Sequence, residues 1–221
     1  MSRPLLQLVD SYPLRYLLRP RISTEAGESP PLLCFLHGYD EGAPLDIFDA
    51  LSRHGPFRSL NPSTYKDRFV IVAPQLPLRG DLWYRYADTV RQIVLDEAKK
   101  FACDLRRLYL TGFSFGGNGV FDLSFAQTGM WAALWPVDPT RVPTQPITIP
   151  IWLSLGEISR LQARSFIHTL GRESAEIVTS ADQVWSDAGE DHVGTATQAY
   201  NDERVYQWLL SNRLVGPPVI P

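Results

Sequence analysis

The sequence has only two cysteines, Cys34 and Cys103, in 221 residues. Both lie in apolar or helix-end contexts, and their spacing is not that of metal ligands. They read as reduced thiols of an intracellular protein, although two cysteines suffice for one disulfide. An excess of one charge is also missing. Lys and Arg number 21 against 24 Asp and Glu, for a formal net charge of −3. Charge therefore gives no reason to expect nucleic acid or an anionic membrane as partner. No apolar run approaches the roughly 18 residues of a membrane span. The opening "MSRPLLQLVDSYPLRYLLRP" lacks the continuous apolar stretch of a signal peptide. The expectation is a cytoplasmic protein. No internal repeat, low-complexity tract or long linker breaks the chain. One domain over residues 1–221 is expected, with 211–221 as a loose tail. No cofactor and no metal is expected.

What is present is an ordinary globular balance of 44% hydrophobic and 20% charged residues. The short "LRYLLRP" is strand-like. "LLCFLHG" and "RFVIVAPQ" are continuously apolar, the pattern of strands buried on both faces. Between them, "PLDIFDALSRHGPFRSL" has helical spacing at Ile47, Leu51 and His54, with Gly55-Pro56 as its stop. "DTVRQIVLDEAKKFA" places Val90, Ile93, Val94 and Phe101 on one helix face. "LRRLYLTG", "WAALWPV" and "IPIWLSLG" read as strands. "GGNGVFDLSFAQTG", "RLQARSFIHTL" and "DERVYQWLLSNRL" read as helices. Alternating strands and helices predict an α/β fold with a mostly parallel, twisted sheet and helices on both faces. Ligand sites in such sheets lie beyond the carboxyl ends of the strands.

At one such end the sequence reads "TGFSFGG", residues 111–117. It matches the G-x-S-x-G elbow, in which a serine is lifted on a strained strand-to-helix turn. With Gly and Ser each at about 7% usage, a chain of this length shows the pattern by chance roughly once in fifteen. The strand before it and the helix after it favour Ser114 as a nucleophile over a small-residue bend. A serine needs a base, and in this architecture the base follows it in the chain. His168 lies inside a helix-like run and reads as a packing residue. His192, in the "SDAGEDHVGTA" loop before the last helix, is the candidate base. Backbone amides of Phe115 and Tyr39 are the candidate oxyanion donors. His37 precedes the serine and reads as a hydrogen-bonded structural residue.

Several stretches together resemble α/β-hydrolase-fold esterases of the phospholipase/carboxylesterase and polyhydroxybutyrate-depolymerase-like group. They are "PPLLCFLHGYDEGAP", "HGPF", "FVIVAPQLP" with Trp83 after it, "CDLRRLYLTGFSFGGNGVFDL", "WAALWPV" and "DHVGTATQAYNDERVYQWLLSNR". The resemblance implies the α/β-hydrolase fold and serine-dependent ester hydrolysis through an acyl-enzyme, with Ser114 as nucleophile and His192 as base.

The sequence departs from that group at the acid. The group carries it in a "G-x-x-D" turn, which here is "LGEISRL", with Ser159 at the expected position. Three readings follow. Asp138, in "LWPVDPTRVP", can supply the carboxylate from the neighbouring strand end, an arrangement that resembles pancreatic-type lipases. Glu157 can supply it from the same turn as Ser159. In the third reading there is no acid, and the chain is a slow dyad or a non-catalytic binding protein that kept the fold. Asp191 is a poor choice, because a residue next to His192 does not reach its ring edge well. Tyr39, Trp83, Phe115 and Trp185 are candidate pocket walls. At this length no large lid is expected, and an open aromatic pocket favours small acyl or aryl esters. Thioester and peptide bonds stay open beside them. Nothing in the sequence sets the oligomeric state.

Overall fold

The structure is a computed structural model that describes residues 6–10, 13–22, 27–58, 65–159, 183–187 and 190–216. Eight strands form one sheet. They are β1 (Gln7–Val9), β2 (Tyr16–Arg19), β3 (Leu32–Leu36), β4 (Val70–Pro74), β5 (Leu108–Phe113), β6 (Ala133–Val137), β7 (Trp152–Gly156) and β8 (Gln183–Asp187). Their spatial order is β1-β2-β4-β3-β5-β6-β7-β8. The pairs β1–β2 and β2–β4 are antiparallel, and the remaining pairs are parallel. The described helices are α1 (Ile47–Arg53), α2 (Ala87–Lys100), α3 (Phe115–Ala126), α4 (His192–Asn201) and α5 (Glu203–Ser211).

The apolar runs of the central strands are explained by a core on each face of the sheet. Alternate residues of β3 enter different clusters: Leu32, Cys34 and Leu36 join one, Leu33 and Phe35 the other. The first cluster is closed by α2 and α3 through Val90, Ile93, Val94, Val120 and Phe121. The second is closed by α1, α4 and α5 through Ile47, Leu51, Tyr200, Val205 and Leu209. A strand with period two, buried on both sides, has no polar face to show. The doubly covered, mostly parallel sheet is the one expected from the alternating pattern.

The structure departs from the sequence reading in four places. Strands β1 and β8 were not expected, and "QVWSD" on β8 offers little apolar signal. It is placed instead by parallel pairing along the whole of β7, from Trp152–Gln183 to Gly156–Asp187. His192 is not in a loop. It opens α4, with Asp191 as the cap whose carboxylate accepts from the amides of Val193 and Gly194. The tail expected to be loose from 211 is held as far as Leu214. Ser211 ends α5, Tyr109 Oη donates to the Asn212 carbonyl, and the Leu214 amide bonds the Arg106 carbonyl. The helix expected over "RLQARSFIHTL", with His168, lies outside the described residues. Among the described residues, no helix is long and apolar enough to cross a membrane.

Candidate active site

Ser114 stands between the end of β5 and the start of α3, with φ 57° and ψ −117°. An L-residue reaches that conformation only at a cost on the order of 1–3 kcal/mol, so its surroundings must hold it. They do so through the backbone. The Ser114 amide donates to the Val137 carbonyl at 3.0 Å, and its carbonyl accepts from the Asn118 amide at 3.1 Å. The flanking glycines are needed for close approach. A Cβ on Gly116 would run into the carbonyl of Leu36, and one on Gly112 into the backbone of Gly116.

The other half of the site comes from α4. His192 Nε2 lies 2.9 Å from Ser114 Oγ, and its Nδ1 is hydrogen-bonded to Asp138 Oδ2. The imidazole packs on Phe113, with ring centroids 4.6 Å apart. With the proton on Nδ1 and donated to the carboxylate, Nε2 is left to accept from the serine hydroxyl. Asp191, committed to capping α4, has no part in this chain of bonds.

Asp138 follows β6 directly and is fully buried, at 0% exposure. Its backbone is left-handed, with φ 44°, a region that aspartate tolerates better than most side chains. Burying a carboxylate is costly unless its oxygens are bonded. Here Oδ1 accepts from the Gly156 amide at 3.0 Å, and Oδ2 accepts from Ser159 Oγ at 2.7 Å as well as from His192. The Asp138 amide donates to the Ser154 carbonyl at 2.8 Å. Of the sequence candidates for the acid, the structure brings Asp138 to the imidazole. Glu157 is exposed on the turn after β7. Ser159, the residue at the position where an aspartate was expected, is instead a donor to that carboxylate.

On the other flank, Phe115 opens α3, and Tyr39 opens a 3-10 helix, Tyr39–Glu41. The amide of a first helical residue has no acceptor within its own helix. The two rings meet edge to face with centroids 5.0 Å apart, and Gly38, the residue before Tyr39, lies against Ser114. Tyr39 is 46% exposed, a rim residue. His37 is buried beneath this corner. Its Nε2 accepts from the Leu76 amide at 2.9 Å, and its Nδ1 donates to the Gly38 carbonyl at 2.7 Å. Burial pushes its pKa down to about 4, so the ring is neutral and structural.

Trp83 was expected as a pocket wall, but only 2% of it is exposed. Its indole donates to the His37 carbonyl at 3.1 Å and packs edge-on against the His37 ring. It is therefore mainly an anchor for the strand end. What remains of its surface joins Asp81, Leu82, Tyr84, Phe115, Asn118, Asp122 and Arg141 around a cavity of about 140 Å³, whose walls are therefore partly charged rather than purely aromatic. The side chain of Trp185, the fourth expected wall, lies outside the described residues. Sequence reasoning missed Asn118. Its amide group ties α3 to the loop after β6 by donating to Thr140 Oγ1 and accepting from the Thr140 amide. Among the described residues, no three His, Cys, Asp or Glu side chains cluster as a metal site.

No family model matches the sequence, and no curated protein matches it. Solved structures do match the fold. A thermostable esterase superposes with a TM-score of 0.65 at 18% identity over 96% of this chain. This chain spans 63% of the length of that esterase. A predicted CIB-like hydrolase from Thermoplasma acidophilum gives 0.61 at 15% identity, covering 94% of this chain and 98% of the other. The substrate-bound fluorophosphonate-binding serine hydrolase F of Staphylococcus aureus gives 0.63 at 13% identity, covering 93% and 97%. Their likeness, together with the strand order and the turn at Ser114, shows that the chain has the α/β-hydrolase fold.

Proposed function

We propose that this chain is a serine hydrolase that cleaves a small carboxylic ester through an acyl-enzyme. The observation that carries the reading is the continuous run of hydrogen bonds from Ser114 Oγ through the His192 imidazole to the buried Asp138 carboxylate. In the first step His192 Nε2 takes the hydroxyl proton as Ser114 Oγ bonds to the ester carbonyl carbon. The carbonyl oxygen becomes an oxyanion that accepts from the amides of Phe115 and Tyr39. Asp138 stabilises the imidazolium and fixes its orientation. The C–O bond to the alcohol then breaks, and the alcohol leaves with the proton from Nε2. Water, deprotonated by the same nitrogen, attacks the acyl carbon and releases the acid and free Ser114.

The small cavity beside Phe115 supports a short acyl or alcohol group. The names of two structural neighbours, an esterase and a fluorophosphonate-binding serine hydrolase, are in keeping with ester chemistry. The test is covalent labelling by a fluorophosphonate probe together with turnover of short p-nitrophenyl esters. Wild type is expected to label and turn over, and Ser114→Ala to do neither. Folded wild-type protein that neither labels nor turns over would sink the reading, and the chain would then be a binding protein on a hydrolase fold.

A further inference from the structure

Glu41 sits at the end of the turn that carries Tyr39, and only 4% of it is exposed. Its Oε2 accepts from the Gly38 amide at 2.5 Å, and its backbone carbonyl accepts from Gln75 Nε2 at 2.9 Å. Gly38 itself is pressed against the nucleophile. A Cβ built there would lie 3.4 Å from Ser114 Cβ and 3.0 Å from Glu41 Oε2. The carboxyl therefore fills the inner side of the 38–41 turn and fixes the peptide next to the Tyr39 amide. We propose that Glu41 is a positioning residue for the ester hydrolysis proposed above. It holds the 38–41 turn, and with it the Tyr39 amide, at the place where the developing oxyanion must be met. The inference rests on that reading of the site.

The chemistry fits a tuned rather than a merely filled position. An Oε2 that accepts from an amide does so about twice as strongly when ionised. Burial pushes the Glu41 pKa up to about 7, against the Gly38 amide and Arg53, which both favour the charged form. The groups that face it are Asp40 on its own turn, Arg53 and His54 at the end of α1, and Tyr200 on α4. His54 Nε2 is 3.6 Å from Oε1, and burial holds that ring neutral with a pKa near 4. The carboxylate is thus the form that grips the turn best. It is lost as pH falls through about 7, so the bond to the Gly38 amide weakens on the acid side even though burial favours the uncharged carboxyl.

The test compares wild type with Glu41→Ala and Glu41→Gln, measuring kcat and KM for a short p-nitrophenyl ester from about pH 5 to 9, with thermal melts to verify folding. Removing one oxyanion donor outright costs about 10²–10³ in kcat, so loosening its support should cost about 10- to 100-fold in Glu41→Ala, with KM changed less than about threefold. Glu41→Gln keeps an acceptor of the same shape. Its kcat should fall between those of wild type and Glu41→Ala, at the level wild type shows once Glu41 is protonated, and its profile should lack the Glu41 protonation near pH 7. A merely structural role moves the melting temperature and leaves the split between kcat and KM and the profile alone. That result, in either folded variant of an active wild type, overturns the inference. An inactive wild type instead overturns the hydrolase reading, and this inference with it.

Discussion

Replacing Asp138 by Asn tests the chain of bonds at its most buried link. The Gly156 amide donates to Oδ1, so the amide oxygen of an asparagine is held on that side. Nδ2 then occupies the place of Oδ2, where Ser159 Oγ can accept from it and His192 Nδ1 faces it. Two N–H groups cannot share that contact. The imidazole must accept at Nδ1 and carry its proton on Nε2, where it blocks removal of the serine proton. In a serine protease this tautomer error costs about 10⁴ in kcat. The opposite amide orientation restores an acceptor for Nδ1 but turns an NH₂ against the Gly156 amide, leaving a buried donor unsatisfied at about 1–3 kcal/mol. At about 1.4 kcal/mol per tenfold, that orientation holds on the order of 1–15% of molecules. If the flipped orientation works as well as wild type, the loss in kcat is about 7- to 100-fold, and if it does not, the loss approaches the about 10⁴ of the tautomer error. Fluorophosphonate labelling rates and p-nitrophenyl ester turnover, on protein shown to be folded by its thermal melt, measure it. Activity within about threefold of wild type would refute the reasoning. Glu157→Gln, on an exposed turn, should label at the wild-type rate.

Other consequences follow from the same geometry. Ser159→Ala removes a 2.7 Å bond to the carboxylate. It should lower kcat/KM by about 3- to 30-fold, with Ser159→Thr restoring most of it, since hydrogen bonds to charged groups contribute about 1.5–3 kcal/mol and part of that is replaced. Gly116→Ala puts a methyl into the carbonyls of Leu36 and His37. It should cost about 1–3 kcal/mol in denaturant unfolding and abolish labelling, because the turn at Ser114 cannot close. Stability should also depend on pH. His37 falls from an ordinary 6.5 to about 4 on folding, so the unfolded chain binds the extra proton between those values. Its contribution, roughly 3 kcal/mol, is complete above pH 6.5 and is lost as pH falls to 4. Glu41, raised from 4.5 to about 7, acts in the opposite sense: its contribution is complete below 4.5 and is lost by 7. Melting temperatures of Glu41→Gln should therefore rise more steeply between about pH 4.5 and 6.5 than those of wild type.

Much of this fold was legible because its signals are local. Continuous apolar runs on β3, β4 and β5 follow from burial on both faces, and Gly55-Pro56 ends α1 where expected. Strand β8 escaped because its placement comes from pairing with β7 rather than from its own residues. The start of α4 was read as a loop because "SDAGED" is rich in turn formers. Yet Asp191 is itself the helix cap, a signal present in the sequence and given the wrong weight. That Ser114 and His192 meet agrees with the spacing and chain order read from the sequence. Trp83 does line the cavity, but the sequence did not show that most of its surface faces the ring of His37, because an aromatic near a strand end reads alike in either setting.

The acid was only partly readable: Asp138 stood first among three readings, and the sequence alone does not decide between them. Neighbouring strands lie about 4.8 Å apart, so side chains from the ends of two adjacent strands can reach one imidazole. Asp138 after β6 and the turn after β7 are such a pair: the Asp138 carboxylate is bonded at once by His192, by Ser159 and by the Gly156 amide. Which turn supplies the carboxylate is decided by backbone placement, here the left-handed Asp138 and the Gly156 amide aimed at its Oδ1. Neither leaves a mark in spacing. The hydroxyl at Ser159 follows from the same geometry. With the charge supplied from β6, a second carboxylate on the β7 turn would lie against the first, and like charges at that distance cannot both stay ionised. A donor is what the position calls for, and a double variant tests this. Ser159→Asp alone should slow turnover by pairing two carboxyls. Combined with Asp138→Asn, it should recover a measurable part of the activity that Asp138→Asn loses. Turnover of the double variant no faster than that of Asp138→Asn alone would mean that the β7 turn does not reach the ring.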